Sequence, residues 1–420
     1  MIKETVSIIL ICSMVCVAAG VIYGKGYTWQ ELLDEAKINN PELRQAKESM
    51  QKSALLYKKA YSGFLPSLSA SASASQSDSD NGDLSQTYSY GLRGSLSVFS
   101  GFSDYYNVKS NKADINKSDL QLMRISSDIV YDLKVSYINL LWAQENVALS
   151  QEILERRKSN YETVLLKYEA GREDKGSLMR VEADKLQAEH DLNNGRRELK
   201  TAAYGVCEVL GKETFEIIQA SEALSGYAEF NNIEEIRIAD PWKLVEQLPE
   251  FKIARYDVIL SEYSEKEAMS NFYPSLSLSS SLSNSGDQWE DPSHSWNAGL
   301  SLSYPLFSGA NDYYNVKVQR RNKVIAQENF KKIKNSLLKQ LQAGLNNYID
   351  AVENIKIREK YMEASEEQSR VTTAKYINGL TTYYDWYSVE NNFISSQKSY
   401  ISAIRDAIVS EAKWLNLIGE

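Results

Sequence analysis

The sequence predicts an α+β membrane protein in which a long antiparallel α-helical coiled-coil barrel is continuous with a transmembrane β-barrel built from several chains, each giving four strands. Three observations carry this prediction. The chain is written twice, its serine-rich stretches alternate strictly with apolar residues, and seven-residue periods persist through segments far longer than an ordinary helix.

The duplication is the firmest of the three. FSGFSDYYNVK, from Phe99 to Lys109, returns as FSGANDYYNVK, from Phe307 to Lys317, an offset of 307 − 99 = 208. That offset holds without a gap from Pro41/Pro249 to Gly211/Gly419, passing PSLS at Pro66/Pro274 and KYxxG at Lys167/Lys375. Such register marks an internal repeat. It divides the chain into a first repeat over residues 25–211, an acidic connector over 212–240 and a second repeat over 241–420.

Residues 1–24 read differently. Lys3 is followed by VSIILICSMVCVAAGVI and then by GKGYTWQELL, the start of a polar helix, so this segment resembles a signal peptide cleaved between residues 20 and 25. A retained anchor helix is the alternative, although the run is short for a span of about 20 residues. Cys12 and Cys16 lack the preceding small residue of lipoprotein processing, which disfavours a lipid anchor. Beyond residue 24 no apolar run approaches the length of a membrane helix. Insertion by the mature chain must therefore use strands.

Each repeat opens with a helix, Pro41 to Phe64 and Pro249 to Phe272, followed by a β-hairpin at about 66–99 and at about 274–307. In the first hairpin Leu68, Ala70, Ala72 and Ala74 oppose Ser67 to Ser75, and Tyr88, Tyr90, Leu92, Leu96 and Val98 oppose Ser89, Arg93, Ser95 and Ser97. In the second, Leu276, Leu278, Leu282, Trp296, Leu300 and Leu302 take the apolar side. Alternation at period two over runs of this length fits lipid on one face and water on the other, with Leu92, Leu96, Leu278 and Leu300 toward lipid. Loops at Ser77 to Gln86 and Asn284 to His294 would close the hairpins at the far end.

Helical hairpins follow, over about 102–211 and 310–419. Leu133, Leu140, Val147, Leu154, Tyr161 and Tyr168 recur at seven-residue intervals, as do Leu341, Tyr348, Ile355, Met362, Ser369 and Tyr376. Ser103 to Tyr168 makes a rod of about 99 Å. The return helix from Ser177 to Gly211 covers only about 52 Å, leaving room that the helix from Pro41 to Phe64, about 36 Å long, fills end to end. Four strands cannot close a barrel, and open edges in lipid leave backbone groups unpaired, so several chains must share one barrel.

Chemistry of other kinds finds no support. A net charge of −9, from 47 basic and 56 acidic residues, gives no basic footprint for nucleic acid. His190 and His294 stand in different repeats without ligand spacing, Cys207 is the one cysteine of the mature chain, and GVCEVLGKE departs from a phosphate loop. The sequence therefore predicts no enzyme, no cofactor and no metal centre.

The order of NNPELRQA, FLPSLS and FYPSLS, the two FSG joints and the two KYxxG turns resembles the TolC-like family of outer-membrane channels over the whole mature chain. The resemblance implies a homotrimer with a twelve-stranded barrel in the outer membrane of a Gram-negative bacterium. It further implies a periplasmic adaptor and an inner-membrane pump as partners, and export by efflux or type I secretion. Family members place the KYxxG turns at the periplasmic pore entrance. The matching residues are Tyr168, Gly171 and Ser177, and Tyr376, Gly379, Thr381, Asp385 and Ser388. Ser388 stands where some relatives carry a second acid and Thr381 where they carry an arginine, so an ionic latch of the family type is in doubt. Packing of Tyr383, Tyr384, Trp386 and Tyr387 is expected to dominate closure instead, with Asp385 either a pore acid or a helix cap. A structural or adhesive envelope coiled coil, which needs the heptads but not the hairpins, is the alternative function.

Overall fold

The computed structural model describes residues 26–78, 84–227, 230, 241–289 and 292–419. The expected signal peptide lies outside these residues, as do most of the connector beyond 227 and the centres of both expected surface loops.

Helix α1 (Trp29–Asn39) starts from a capping box in which Thr28 N–H donates to Glu31 Oε2 at 2.9 Å and Glu31 N–H to Thr28 Oγ1 at 3.4 Å. Helix α2 (Pro41–Ala60) has proline at its first turn, where a missing N–H is harmless, and Asn40 as its cap. The Asn40 amide also donates to the carbonyl of Val209 at 2.8 Å, near the end of the return helix α4 (Lys175–Leu210). A methyl group on Gly211 would stand 2.6 Å from Pro41 Cδ. The two shorter helices therefore abut end to end beside the rod α3 (Ser103–Glu169, 67 residues), as the lengths require.

The second repeat is built alike. Helices α5 (Pro241–Gln247) and α6 (Pro249–Met269) lead into the second sheet hairpin, and the rod α7 (Asn311–Ile377, 67 residues) turns back as α8 (Tyr383–Ile418). A methyl group on Gly419, at the end of α8, would stand 3.8 Å from Pro249 Cδ. Two short strands, β1 (Gly26–Tyr27) and β4 (Gln219–Ala220), pair in parallel and tie the connector to the N-terminal segment. Beside them the main core gathers Leu32, Leu133, Tyr137, Leu141, Val206 and Leu210, with a twin around Val245, Leu248, Leu341 and Tyr348. Both sit midway along the rods, where three layers of helix and connector meet.

Strands β2 (Ser67–Asp78), β3 (Leu84–Ser100), β5 (Ser275–Gly286) and β6 (Ser293–Ser303) form one antiparallel sheet in the order β2-β3-β5-β6. Cross-strand register stacks the apolar residues into continuous rows: Ala70, Leu92, Leu282 and Trp296 in one, Leu96, Leu278 and Leu300 in another. The opposite face carries hydroxyls in rows, with Ser67 to Ser95 at 2.7 Å, Ser73 to Ser89 at 2.8 Å and Ser283 to Ser295 at 2.8 Å. Trp296 is 80% exposed and Leu302 69%. A face this apolar needs cover that the chain alone does not provide. Among the described residues nothing pairs with the outer edges of β2 and β6.

Two details depart from the sequence expectation. The second hairpin ends at Ser303 rather than near residue 307, because Pro305 stands where the first repeat has Ser97 and cannot continue a ladder. The register also shifts between Ser97 and Phe99, so Phe99 rather than Val98 pairs with Leu276. The strand then bends directly into α3.

At both strand-to-rod joints two successive residues are left-handed: Gly101 and Phe102 with φ 63° and 73°, Gly309 and Ala310 with φ 65° and 62°. This conformation is why FSG recurs, since glycine adopts it without penalty. A methyl group on Gly101 would also meet the Ser270 carbonyl oxygen at 2.4 Å, whereas one on Gly309 would meet nothing within 4 Å. Gly101→Ala should therefore reduce assembled protein in the membrane well below Gly309→Ala, measured by heat-resistant oligomer on gels.

The sheet register generates a second expectation. Leu96→Arg or Leu300→Arg should impair membrane assembly by about 2–4 kcal/mol, while Ser95→Arg or Ser303→Arg on the hydroxyl face should be tolerated. Quantifying folded protein in outer-membrane fractions compares the two faces directly.

Candidate functional site

The rods reverse at the end farthest from the sheet. Helix α3 stops at Glu169 and the chain turns through Gly171 at φ 69°, and α7 stops at Ile377 and turns through Gly379 at φ 73°. Asp174 caps α4, accepting from Ser177 N–H at 2.9 Å, and Thr382 caps α8, accepting from Asp385 N–H at 3.1 Å. These four positions correspond across the repeat, since 382 − 174 and 385 − 177 both equal 208. The acid and the hydroxyl have exchanged places. In the first turn Ser177 Oγ donates to Asp174 Oδ2 at 3.2 Å, and in the second Thr382 Oγ1 donates to Asp385 Oδ2 at 2.7 Å. The Ser177 N–H, foremost, holds the Asp174 carboxyl below its ordinary range. Asp385 thus stands in the first turn of α8, its carboxylate accepting from the hydroxyl of the capping Thr382, and it is exposed.

Around these caps the two repeats interlock. Tyr376 is buried and stacks on Trp386 with ring centroids 4.4 Å apart and planes at 6°, while its hydroxyl donates to Glu173 at 2.8 Å. Burial, reinforced by Glu173, pushes the Tyr376 phenol far up. Lys167 Nζ donates to the Tyr376 carbonyl at 2.6 Å and lies over its ring. Trp386 Nε1 donates to Thr373 Oγ1 at 3.0 Å, Tyr383 stacks on Tyr387, and Arg180 Nε donates to the Tyr387 hydroxyl at 2.7 Å. Tyr168, the first-repeat counterpart of Tyr376, is 38% exposed. Thr381 is half-buried, and Ser388 and Tyr384 are exposed. The aromatic cluster thus joins Tyr376, Tyr383, Trp386 and Tyr387 but leaves Tyr384 outside.

Sequence reasoning missed the charged residues that tie this tip together. Glu390 is 1% exposed and accepts from Arg156 at 3.1 Å, Thr373 at 3.1 Å, Asn160 at 3.3 Å and also from Ser369. Its donors come from α3 and α7, so one carboxylate on α8 binds three helices. Farther up, Lys398 reaches Asp191 at 3.2 Å. The signal was present: Glu390 lies between Trp386 and Phe393 on an otherwise apolar stripe. An acid there must be paired. Among the described residues no group of three or more His, Cys, Asp or Glu side chains converges as a metal site.

Arg156→Ala leaves the buried Glu390 carboxylate without its cation and should cost about 3 kcal/mol locally. Lys158→Ala, which breaks only an exposed pair with Glu155, should cost less than about 1 kcal/mol. Hydrogen exchange at the first amides of α8 distinguishes the two, rising sharply in the first variant alone.

Comparison with known proteins places the chain. A sequence profile described as outer membrane efflux protein matches residues 32–212 and 243–420, one stretch in each repeat. Nodulation protein T of Rhizobium leguminosarum bv. trifolii is 21% identical over 89% of this chain and 81% of its own length. Among solved structures, the Campylobacter jejuni CmeC outer membrane channel superposes with a TM-score of 0.81 at 17% identity, over 93% of this chain and 85% of its own. CusC superposes with a TM-score of 0.80 at 17% identity, over 97% and 95%. No described helix is long and apolar enough to cross a membrane. With the profile match spanning both repeats, the chain belongs to the outer membrane efflux protein family, whose members are channels of the Gram-negative outer membrane.

Proposed function

We propose that the protein is the exit duct of a tripartite efflux or type I secretion assembly, acting as a homotrimer that passively conducts cargo from periplasm to exterior. The observation that carries this reading is the sheet. Its apolar rows suit lipid, its hydroxyl rows suit a wet lumen, and its open edges at β2 and β6 ask for the edges of further copies. Three copies supply twelve strands, with Leu92, Leu96, Leu278 and Leu300 against lipid. The rods, joined to the sheet by two residues in the first repeat and by seven in the second, extend the wall of that lumen by about 100 Å.

At the far end the turns through Gly171 and Gly379 form the periplasmic entrance, where a periplasmic adaptor docks and an inner-membrane pump delivers cargo. Selection then belongs to the pump, because the duct has only to be wide, wet and continuous. Three Asp385 carboxylates around the axis add a local charge of about −3, which attracts cations and weakens as salt screens it. Opening requires the second-repeat turn to move from the first. The Tyr376 to Glu173 and Arg180 to Tyr387 bonds resist that motion together with the aromatic stack.

Planar-bilayer recordings of the purified trimer test the reading. Asp385→Asn keeps an acceptor for Thr382 and should preserve assembly while reducing cation selectivity and block by multivalent cations. Unchanged selectivity would leave Asp385 a helix cap alone, and absence of any conductance would overturn the duct. Epitope tags placed in the loops at Ser77 to Gln86 or Asn284 to His294 should be labelled on intact cells. Labelling only after the outer membrane is opened would reverse the topology.

A further inference from the structure

The duplicated DYYNVK places the same three side chains at the top of each rod. Lys109 Nζ lies 5.5 Å from the centre of the Tyr105 ring, and Lys317 Nζ lies 4.3 Å from Tyr313 and 6.0 Å from Tyr314. Tyr105 and Tyr313 are about half exposed, at 49% and 51%. No other stretch of six consecutive residues is identical between the rods, so the identity of these residues within one chain asks for a shared task.

Neighbouring contacts fix which way they point. Tyr106 stacks on Tyr263 and Lys117 pairs with Asp257 at 2.6 Å, both on α6. Ser118 meets Ser53 at 2.8 Å on α2, and Ser53 also donates to Asp114 at 3.2 Å. With about 100° of rotation per residue, Tyr105, Lys109 and Lys112 fall on the broad arc turned away from both neighbours, while Asn107 and Ser110 fall in the narrow arc between them. In a curved wall the narrow arc faces inward. Tyr105 and Lys109 therefore face outward, and the 208-residue offset gives Tyr313 and Lys317 the corresponding station on the second rod.

This outward arc continues the apolar face of the sheet. Phe99, opposite Leu276, packs edge-on against Phe102, which packs edge-on against Tyr273, with centroids 5.1 Å and 5.7 Å apart. Below this aromatic step come Tyr105 and Lys109. An ammonium resting on a phenol face keeps N–H groups free for a phosphodiester, and the phenol hydroxyl supplies another donor at headgroup depth.

We propose that the Tyr105–Lys109 and Tyr313–Lys317 pairs are twin binding sites, two per chain, for the phosphate-bearing headgroups of anionic phospholipid in the leaflet facing the rods. The proposal rests on the sheet standing in the membrane as proposed above. Charge complementarity favours phosphatidylglycerol over phosphatidylcholine, whose quaternary ammonium the lysine repels.

Native mass spectrometry of the full-length protein in neutral detergent, titrated with each lipid, tests this. Phosphatidylglycerol should be retained at two copies per chain above phosphatidylcholine, with affinity about fivefold lower in Lys109→Gln/Lys317→Gln. Lys109→Gln alone should retain one copy per chain, and Lys109→Arg/Lys317→Arg should restore both. The oligomer is read in the same spectra, so loss of the trimer, which would bear on the duct, is separate from loss of lipid per chain. Equal retention by wild type and the double Gln variant would overturn the proposal. So would equal retention of both lipids, or displacement of phosphatidylglycerol by millimolar glycerol phosphate.

Discussion

The backbone of β2 and β6 governs the rest of the molecule. In hydrocarbon an unpaired N–H or C=O costs several kcal/mol, and each edge strand presents a row of them. Four strands with Trp296 and Leu302 bare on one side and serine ladders on the other cannot be at rest in either water or lipid as a single chain. In the proposed trimer, closure against further copies would remove the edges, place the leucines in lipid and enclose the hydroxyls. That one requirement accounts for the duplication, since two similar repeats per chain give a wall of near-equivalent staves.

Rods of 67 residues then need support that no isolated helix possesses. It comes in two forms. Midway, the connector and α1 cover Leu133, Tyr137 and Leu141, and Tyr137 donates to Glu222 at 2.9 Å across the joint. At the tip, where fewer layers remain, packing alone gives way to packing with charge: the Tyr376 and Trp386 stack is flanked by Glu173, Lys167 and Arg180, and Glu390 is locked by Arg156. Apolar contact tolerates small slides of one helix on another, whereas a buried carboxylate with four donors has one good position. The middle is held by packing, and the tip by packing together with charge in one defined arrangement.

Much of this was legible in the sequence because two periodicities are physical signatures. Period two separated Leu278 and Leu300 from Ser277 and Ser301, and period seven found Leu133, Leu140, Leu341 and Tyr348 in the core. The unequal lengths of rod and return helix foretold the abutment of α4 on α2, now seen at Asn40 and Gly211. What escaped depends on contacts between distant segments. Neither the bulge at Ser97 nor the Arg156 to Glu390 pair, 234 residues apart, leaves a local pattern. The aromatic stack forms from Tyr376, Tyr383, Trp386 and Tyr387 without Tyr384, and the expectation of packing in place of ionic contacts overlooked the first repeat, which supplies Lys167, Glu173 and Arg180 to the second. Of the two readings of Asp385 offered by the sequence, neither foresaw that Thr382 occupies the position of Asp174 as the cap, with the Asp385 carboxylate accepting from its hydroxyl.

The account stands or falls on which face of the sheet is wet. Single cysteines placed along β5 in the membrane-embedded protein, probed with a small water-soluble thiol reagent, measure this directly, because Cys207 is buried. Labelling should alternate, fast at Ser277, Ser279 and Ser281 and slow at Leu276, Leu278 and Leu282. Uniform labelling, or fast labelling at the leucines, would contradict a lipid-facing apolar row around an aqueous lumen.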